Sequence, residues 1–266
     1  MNPHSHSRTR RRLPALALAL GGLLLLHPSA PAQNNATANA GDLPSAREII
    51  DRFVEKLGGE EAIRKHTSTV SRGTFGMPAM GIQGTLVVHQ AAPDKMLVHV
   101  NLPGVGEIKT GFNGKVGWEI NPMTGPRLIQ GAQLEQTRAD YDFYGLLHDA
   151  EKFESMETVE RTTFEGQPAY KVKLVRKSGV TDYEFFHIET GLQIGSVITR
   201  DQPTGRMEVT NTISDYKKFG GQLLPTRIVQ KLLGMQQEMK ITEVEFDKVD
   251  PKVFELPPEI KALSAQ

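Results

Sequence analysis

The sequence predicts a mainly β fold with a few helices, built around one meandering antiparallel sheet. Three observations predict it. From Thr69 onward, short segments of alternating apolar residues are separated by Gly, Pro and Asn-Gly, the signature of consecutive hairpins. Roughly ten to eleven such segments follow one another, a number that rarely stays in one flat sheet without curling. Ahead of them, Ser45-Ala46-Arg47-Glu48 is a capping box. Ile49, Ile50, Phe53, Val54 and Leu57 follow it at helical spacing, and Gly58-Gly59 ends the helix.

The run from Thr69 to Trp118 anchors the sheet. Ile82, Leu86 and Val88 share one face of a first strand, and Met96, Val98, Val100 and Leu102 share one face of the next. Matching these faces requires Val88 opposite Val98 and Leu86 opposite Val100, with Ala92, Pro93 and Asp94 as the loop. A shift of one residue would turn an apolar face to water. Asn113-Gly114 predicts a type I′ turn between Phe112 and Lys115.

The capped helix must bury its apolar stripe, and the open face of this sheet is the predicted site. Glu60 to Lys65 reads as another helical turn. After Trp118, residues Asn121 to Pro126 form a loop, Arg127 to Gln130 a short strand, and Leu134 to Ala150 a helix. The predicted strands that follow are Ala169–Arg176, Tyr183–Ile188, Leu192–Arg200, Met207–Tyr216, Leu224–Leu233 and Glu238–Phe246. Pro251 to Pro258 is a tail that packs by Val253, Phe254 and Leu256.

Residues 1–32 stand outside this pattern. A basic stretch to Arg12, an apolar run from Leu13 to Leu26 and the small-residue site Ala30-Pro31-Ala32 read as a secretory signal peptide. Thr9-Arg10-Arg11-Arg12-Leu13 loosely fits a twin-arginine signal as well. Residues 33–44 are small and polar and read as a disordered leader, leaving 45–260 as a single domain. Of 266 residues, cleavage after Ala32 leaves 234, with 27 basic against 31 acidic side chains, since four arginines go with the signal peptide. That balance argues against nucleic acid and against a polybasic membrane patch. With no Cys, the chain has neither disulfides nor a residue to acylate, so the expected product is a soluble periplasmic protein.

Residues that could carry chemistry do not assemble into a site. His89 and His99 share the polar face of their hairpin without a third ligand from that hairpin and read as surface residues. Asp140, Asp142, His148, Asp149 and Glu151 read as a polar helix end. There is no nucleophile elbow, P-loop or H-E-x-x-H, so neither an enzyme nor a cofactor is expected. Met77 and Met80 flank Pro78 near a strand end, where a cavity rim could lie.

Several segments, taken in order, resemble a known family. Leu57-Gly58-Gly59-Glu60-Glu61-Ala62-Ile63 follows the capped helix, and Gly111-Phe112-Asn113-Gly114-Lys115-Val116-Gly117-Trp118 has a G-[YF]-[DN]-G-K-x-x-W form. Phe185-Phe186-His187-Ile188-Glu189-Thr190-Gly191-Leu192, then Asp215-Tyr216 through Gly221-Gln222-Leu223-Leu224-Pro225, then Phe246 to Pro257 complete the set. Together they resemble the outer-membrane lipoprotein-sorting family, with the fold of the Lol-system carriers and receptors. The resemblance implies a half-open antiparallel barrel closed by N-terminal and central helices around an apolar cavity for acyl chains. On that reading the ligand is an acyl-chain lipid or a lipoprotein, and the partner an inner- or outer-membrane transport component. Candidate contacts are Phe53 from the helix, Met77 and Met80 at the rim, and Leu86, Val88, Met96, Val98, Val100 and Trp118 on the wall. The motifs supply no position for the arginine that gates the true carriers. A sensor or chaperone-like module on the same fold, binding a peptide or protein, is the alternative.

Overall fold

The computed structural model describes residues 43–147, 152–202 and 205–265. The signal peptide, most of the leader and the group from His148 to Glu151 lie outside the described residues. The first helix, α1 (Ala46–Leu57), starts as its capping box dictates. Ser45 Oγ accepts from Glu48 N, and the Glu48 side chain returns to Ser45 N at 2.7 Å. These bonds to Ser45 hold the Glu48 carboxyl below its usual range. Gly58, at φ 122°, ends the helix, and α2 (Gly59–Arg64) follows.

The strands are β1 (Ser68–Met77), β2 (Ile82–Ala91), β3 (Lys95–Leu102), β4 (Gly106–Phe112), β5 (Gly117–Asn121) and β6 (Gly125–Ile129). After α3 (Gly131–Asp140) come β7 (Phe153–Phe164), β8 (Gln167–Arg176), β9 (Thr181–His187), β10 (Gln193–Gln202) and β11 (Gly205–Ser214). The small strands β12 (Lys217–Phe219) and β13 (Gln222–Leu224) precede β14 (Arg227–Leu232), β15 (Met235–Phe246) and α4 (Pro258–Ser264). Among the described residues, thirteen strands form one antiparallel sheet in the order β6-β5-β4-β3-β2-β1-β15-β14-β11-β10-β9-β8-β7, with β12 and β13 paired apart. The sheet does not close on itself, because β6 and β7 end it. This is the mainly β, half-open architecture with helices that the sequence predicts.

The first hairpin has the predicted register: Val88 pairs with Val98 and Leu86 with Val100, leaving residues 92–94 as the loop. Four expectations need correction. The strands outnumber the predicted ten to eleven. β7 went unread because FESMETVERTTF is an edge strand with charges along it, so its apolar alternation is weak. The Asn113-Gly114 turn is longer than two residues. Phe112 pairs with Gly117, and Asn113 Oδ1 accepts from Lys115 N and Val116 N, an Asx turn that needs no positive φ at Asn113. The helix predicted to Ala150 stops at Asp140. Asp142 Oδ1 accepts from Tyr144 N and folds the chain into a turn, followed by a 3-10 segment at Gly145–Leu147.

The fourth correction concerns what α1 covers. Its Ala46, Ile49, Ile50, Phe53 and Leu57 pack on Val172, Leu174 and Phe186 of β8 and β9, and not on the first hairpins. The sheet face bearing α1 is the inner face. Cross-strand register carries it from Val172 through Glu184, Ser196, Asn211, Gln230 and Gln237. From β15 it continues through Met239, Phe75 and Gly84, and through Leu86, Val100 and Ile108. The tail folds as a 3-10 turn at Pro251–Phe254 and then α4. Phe254 and Ile260 are buried, and these segments reach β3 and β6.

Candidate functional site: the inner face of the sheet

The inner face carries two separate apolar walls. One is the patch that α1 covers. The other combines Phe75, Met77, Leu86, Val100, Leu102 and Ile108, with Ile82, Val88, Val98, Val105, Met239 and Ile241 packed against them. Fully burying one such side chain contributes roughly 1.5–3 kcal/mol, so both walls are strong organising centres. Met207, Val209, Leu232 and Ile198 form a third, smaller cluster on the same face.

The candidate contacts divide accordingly. Met77, Leu86, Val88, Val98 and Val100 come together in the second wall. Met96 is on the same face, opposite Phe112. Phe53 belongs to the first wall, where its ring meets Phe186. Met80 sits exposed in the β1–β2 turn. Trp118 is not on this face. Its cross-strand partner is Gly111, which in turn pairs with Leu97, so register places it on the outer face, buried against Gly111. The sequence signal failed there because a buried aromatic at a strand start does not declare its face. His89 and His99 are also on the outer face, and His99 Nε2 lies 3.4 Å from Glu107 Oε2. Burial, then Arg72 and His99, lowers the His89 pKa. Among the described residues no group of three or more His, Asp or Glu side chains is placed to hold a metal ion.

α3 also lies on the inner face and is held there by polar contacts. Gly117 approaches Leu134 so closely that a Cβ would fall 3.0 Å from Leu134 Cδ1, and Phe112 and Tyr141 have ring centroids 6.4 Å apart. Burial, with the Glu119 carboxylate nearby, pushes the Tyr141 hydroxyl up to about 12. Gln136 grips β10 by donating to Thr199 O and accepting from Asp201 N, each at 2.8 Å. Asp140 pairs with Arg200 and lies 4.0 Å from Arg176, which itself pairs with Asp182. Burial brings the Arg200 guanidinium down to about 10, still charged at neutral pH.

Sequence reasoning missed a polar row between the walls. Ser196, Asn211, Gln230 and Gln237 are directly opposite one another on four neighbouring strands, β10, β11, β14 and β15. Asn211 Nδ2 donates to Ser196 Oγ at 3.0 Å, and Gln230 Nε2 donates to Asn211 Oδ1 at 3.1 Å. Ser196, Asn211 and Gln237 are buried. The signal was present in the sequence: Val209-x-Asn211-x-Ile213, Ile228-x-Gln230-x-Leu232 and Met235-x-Gln237-x-Met239 each break an apolar alternation once.

A cavity of about 220 Å³ opens beside α1, lined by Pro44, Glu48, Ile49, Arg52, Tyr170 and Phe186 among others. Small-molecule pockets usually measure roughly 300–1,000 Å³, so this opening is smaller than a usual ligand site.

A scan against protein-family models gives no match, and a search of the curated proteins gives none. Solved structures do match. A DUF1329 family protein from Desulfovibrio piger is similar with a TM-score of 0.54 at 13% identity, covering 79% of this chain and 97% of that one. A LolA superfamily protein from Nitrosomonas europaea is similar with a TM-score of 0.53 at 11% identity, covering 80% of this chain and 99% of that one. The fold is LolA/LolB-like, a half-open antiparallel sheet carrying helices on its inner face.

Proposed function

We propose that this chain is a periplasmic carrier that holds the acyl chain of a lipid or lipoprotein on the inner face of its sheet and passes it to a membrane transport component. The observation that carries the reading is the second apolar wall, Phe75 through Ile108, on the same face as a wall that a short amphipathic helix covers. The LolA-like fold supports it. A binding site of this kind works by area and shape and needs no catalytic group. At ~0.8 kcal/mol per buried methylene, a chain of about 14 carbons gains on the order of 10 kcal/mol before ordering costs. The signal-peptide pattern of residues 1–32 fits export, and among the described residues no helix is long and apolar enough to cross a membrane.

Mass spectrometry of the protein purified gently from its own periplasm tests the proposal. A stoichiometric acyl-bearing molecule is expected, together with an intact mass that starts near Gln33. A chain that retains residues 1–32, or that carries no lipid and does not take up a fluorescent fatty acid in solution, would overturn it.

A further inference from the structure

A cavity for hydrocarbon alone has no use for amides in its wall. Yet one row of the inner face, crossing four strands, is Ser196, Asn211, Gln230 and Gln237. Two residues away along the strands, on the same face, are Ile198, Val209 and Ile213, Ile228 and Leu232, and Met235 and Met239. The row is therefore one residue deep, bordered by apolar side chains on both sides at Asn211, Gln230 and Gln237 and on one side at Ser196. Burying unsatisfied polar groups costs free energy, and replacing a buried polar cluster by apolar residues of similar volume is often neutral or stabilising. Backbone ladders already fix the register of these strands.

The chemistry of the row is specific. Each carboxamide offers two N–H donors and a carbonyl oxygen, and a hydroxyl both donates and accepts. The two bonds along the row engage one N–H of Asn211 and one of Gln230, so each amide has a second. The four side chains carry no charge, but on β9 the Glu184 carboxylate stands opposite Ser196 on the same face, so a negatively charged group at this end of the row would meet a like charge. Among the described residues, Arg127, Arg176 and Arg200 on this face are matched by Glu119, Asp182 and Asp140, while Arg161 lies over the Tyr170 ring and Arg52 donates to the carbonyls of Ile188 and Glu189. An anionic headgroup would find its countercharges already engaged, whereas an uncharged hydroxyl or amide would find donors and acceptors in a water-poor wall.

We propose that this row is the subsite for the polar part of the cargo, and that the cargo is an amphiphile bearing uncharged hydroxyl or amide groups next to its hydrocarbon. The inference rests on the carrier reading above and narrows its substrate class. The hydrocarbon would lie on the apolar side chains that border the row, and movement of α1 or α3 would open the way in.

The test compares two probes with the same acyl chain, 1-monopalmitoylglycerol and methyl palmitate, as competitors of a bound fluorescent fatty acid on the full mature protein. The hydroxyl-bearing probe should bind about tenfold more tightly, as one or two good hydrogen bonds allow. That ratio should collapse toward one in Asn211→Leu and in Gln230→Met, each checked for a cooperative melt. Ser196→Ala supplies the comparison if either fails to fold. Equal binding of both probes by the wild-type protein, or a preference that survives the substitutions, overturns the subsite and leaves the carrier reading standing. A protein that takes neither these probes nor the fatty acid overturns both.

Discussion

The ring of Phe53 meets that of Phe186 edge to face, with centroids 5.5 Å apart and planes at 65°. The pair joins α1 to β9, and both side chains are buried. Such pairs contribute about 0.5–1.5 kcal/mol beyond area burial. Phe53→Ala removes the pair and leaves a cavity under the helix, at an expected cost of about 3–5 kcal/mol. Chemical denaturation measures it. A loss below about 1 kcal/mol would mean that α1 contributes little to the closed structure.

Val98 and His99 are neighbours in β3 on opposite faces. Val98 pairs with Val88 on the inner face, while His99 sits near Glu107 on the outer one. Val98→Asp places a carboxylate in an apolar wall at a cost of several kcal/mol, unless it stays protonated. His99→Asp sets a carboxylate near Glu107 and opposite Lys109, a solvent-screened change of about 1 kcal/mol or less. Thermal melts of the two variants should therefore differ widely, and equal losses would contradict the assignment of faces.

Gly111 is confined by the one tryptophan of the chain. A Cβ at this position would lie 2.5 Å from Cε2 and Cζ2 of Trp118. Gly111→Ala must displace that ring, with an expected loss of about 1–3 kcal/mol. Because no other Trp contributes, the emission spectrum reports the displacement directly. An unshifted spectrum with an unchanged melt would show that the ring has room to move.

Asp247 ties the end of β15 to the start of β1. Its carboxylate accepts from Thr67 N at 2.8 Å and meets His66 Nδ1 at 2.7 Å, and the His66 ring stacks on Phe246. The His66 contact, then the Thr67 and Ser68 backbone N–H groups, hold its pKa at about 2, against roughly 3.9 for an unfolded Asp. A depressed carboxylate contributes stability that is fully present above the unfolded value and is lost as pH falls through the folded one. The side chain is 44% exposed, so screening reduces the effect. Asn tolerates the left-handed backbone at φ 56° and keeps one acceptor, so Asp247→Asn isolates the charge. It should lower Tm by a few degrees near pH 7, with the gap to wild type closing between about pH 4 and pH 2. A gap that is constant over that range would assign the loss to geometry alone.

How far the sequence reaches is visible in particular residues. Alternation and loop length were enough to pair Val88 with Val98, because a one-residue slip exposes an entire apolar face. The capping box placed Ser45 and Glu48 correctly, because both partners lie within one helical turn. Which strands of the sheet α1 covers was not legible. Its stripe fits any apolar surface, and Val172 and Phe186 are more than a hundred residues downstream. Trp118 was misplaced for a related reason: only the pairing of β5 with β4 fixes its side of the sheet. The polar row was readable strand by strand, but its four members become one feature only when β10, β11, β14 and β15 are set side by side.

The last prediction concerns α1 as the movable cover of the inner face. Its stripe is buried against β8 and β9, while the sheet itself is held by continuous backbone ladders. The helix is also tied by Arg52, whose guanidinium Nη1 donates to Ile188 O at 2.9 Å, with Glu189 O as a second acceptor, and by its N-terminal cap. A cover that admits an acyl chain must open more readily than the strands beneath it. Amides from Ile49 to Leu57 should therefore exchange faster than those from Leu86 to Val100, and should slow when a fatty acid is bound. Ser45→Ala removes the cap at a cost of about 1 kcal/mol, which should raise exchange in α1 about fivefold while leaving β2 and β3 unchanged. Protection of α1 equal to that of the central strands, or exchange that does not respond to fatty acid, would remove the gate that the proposed carrier function requires.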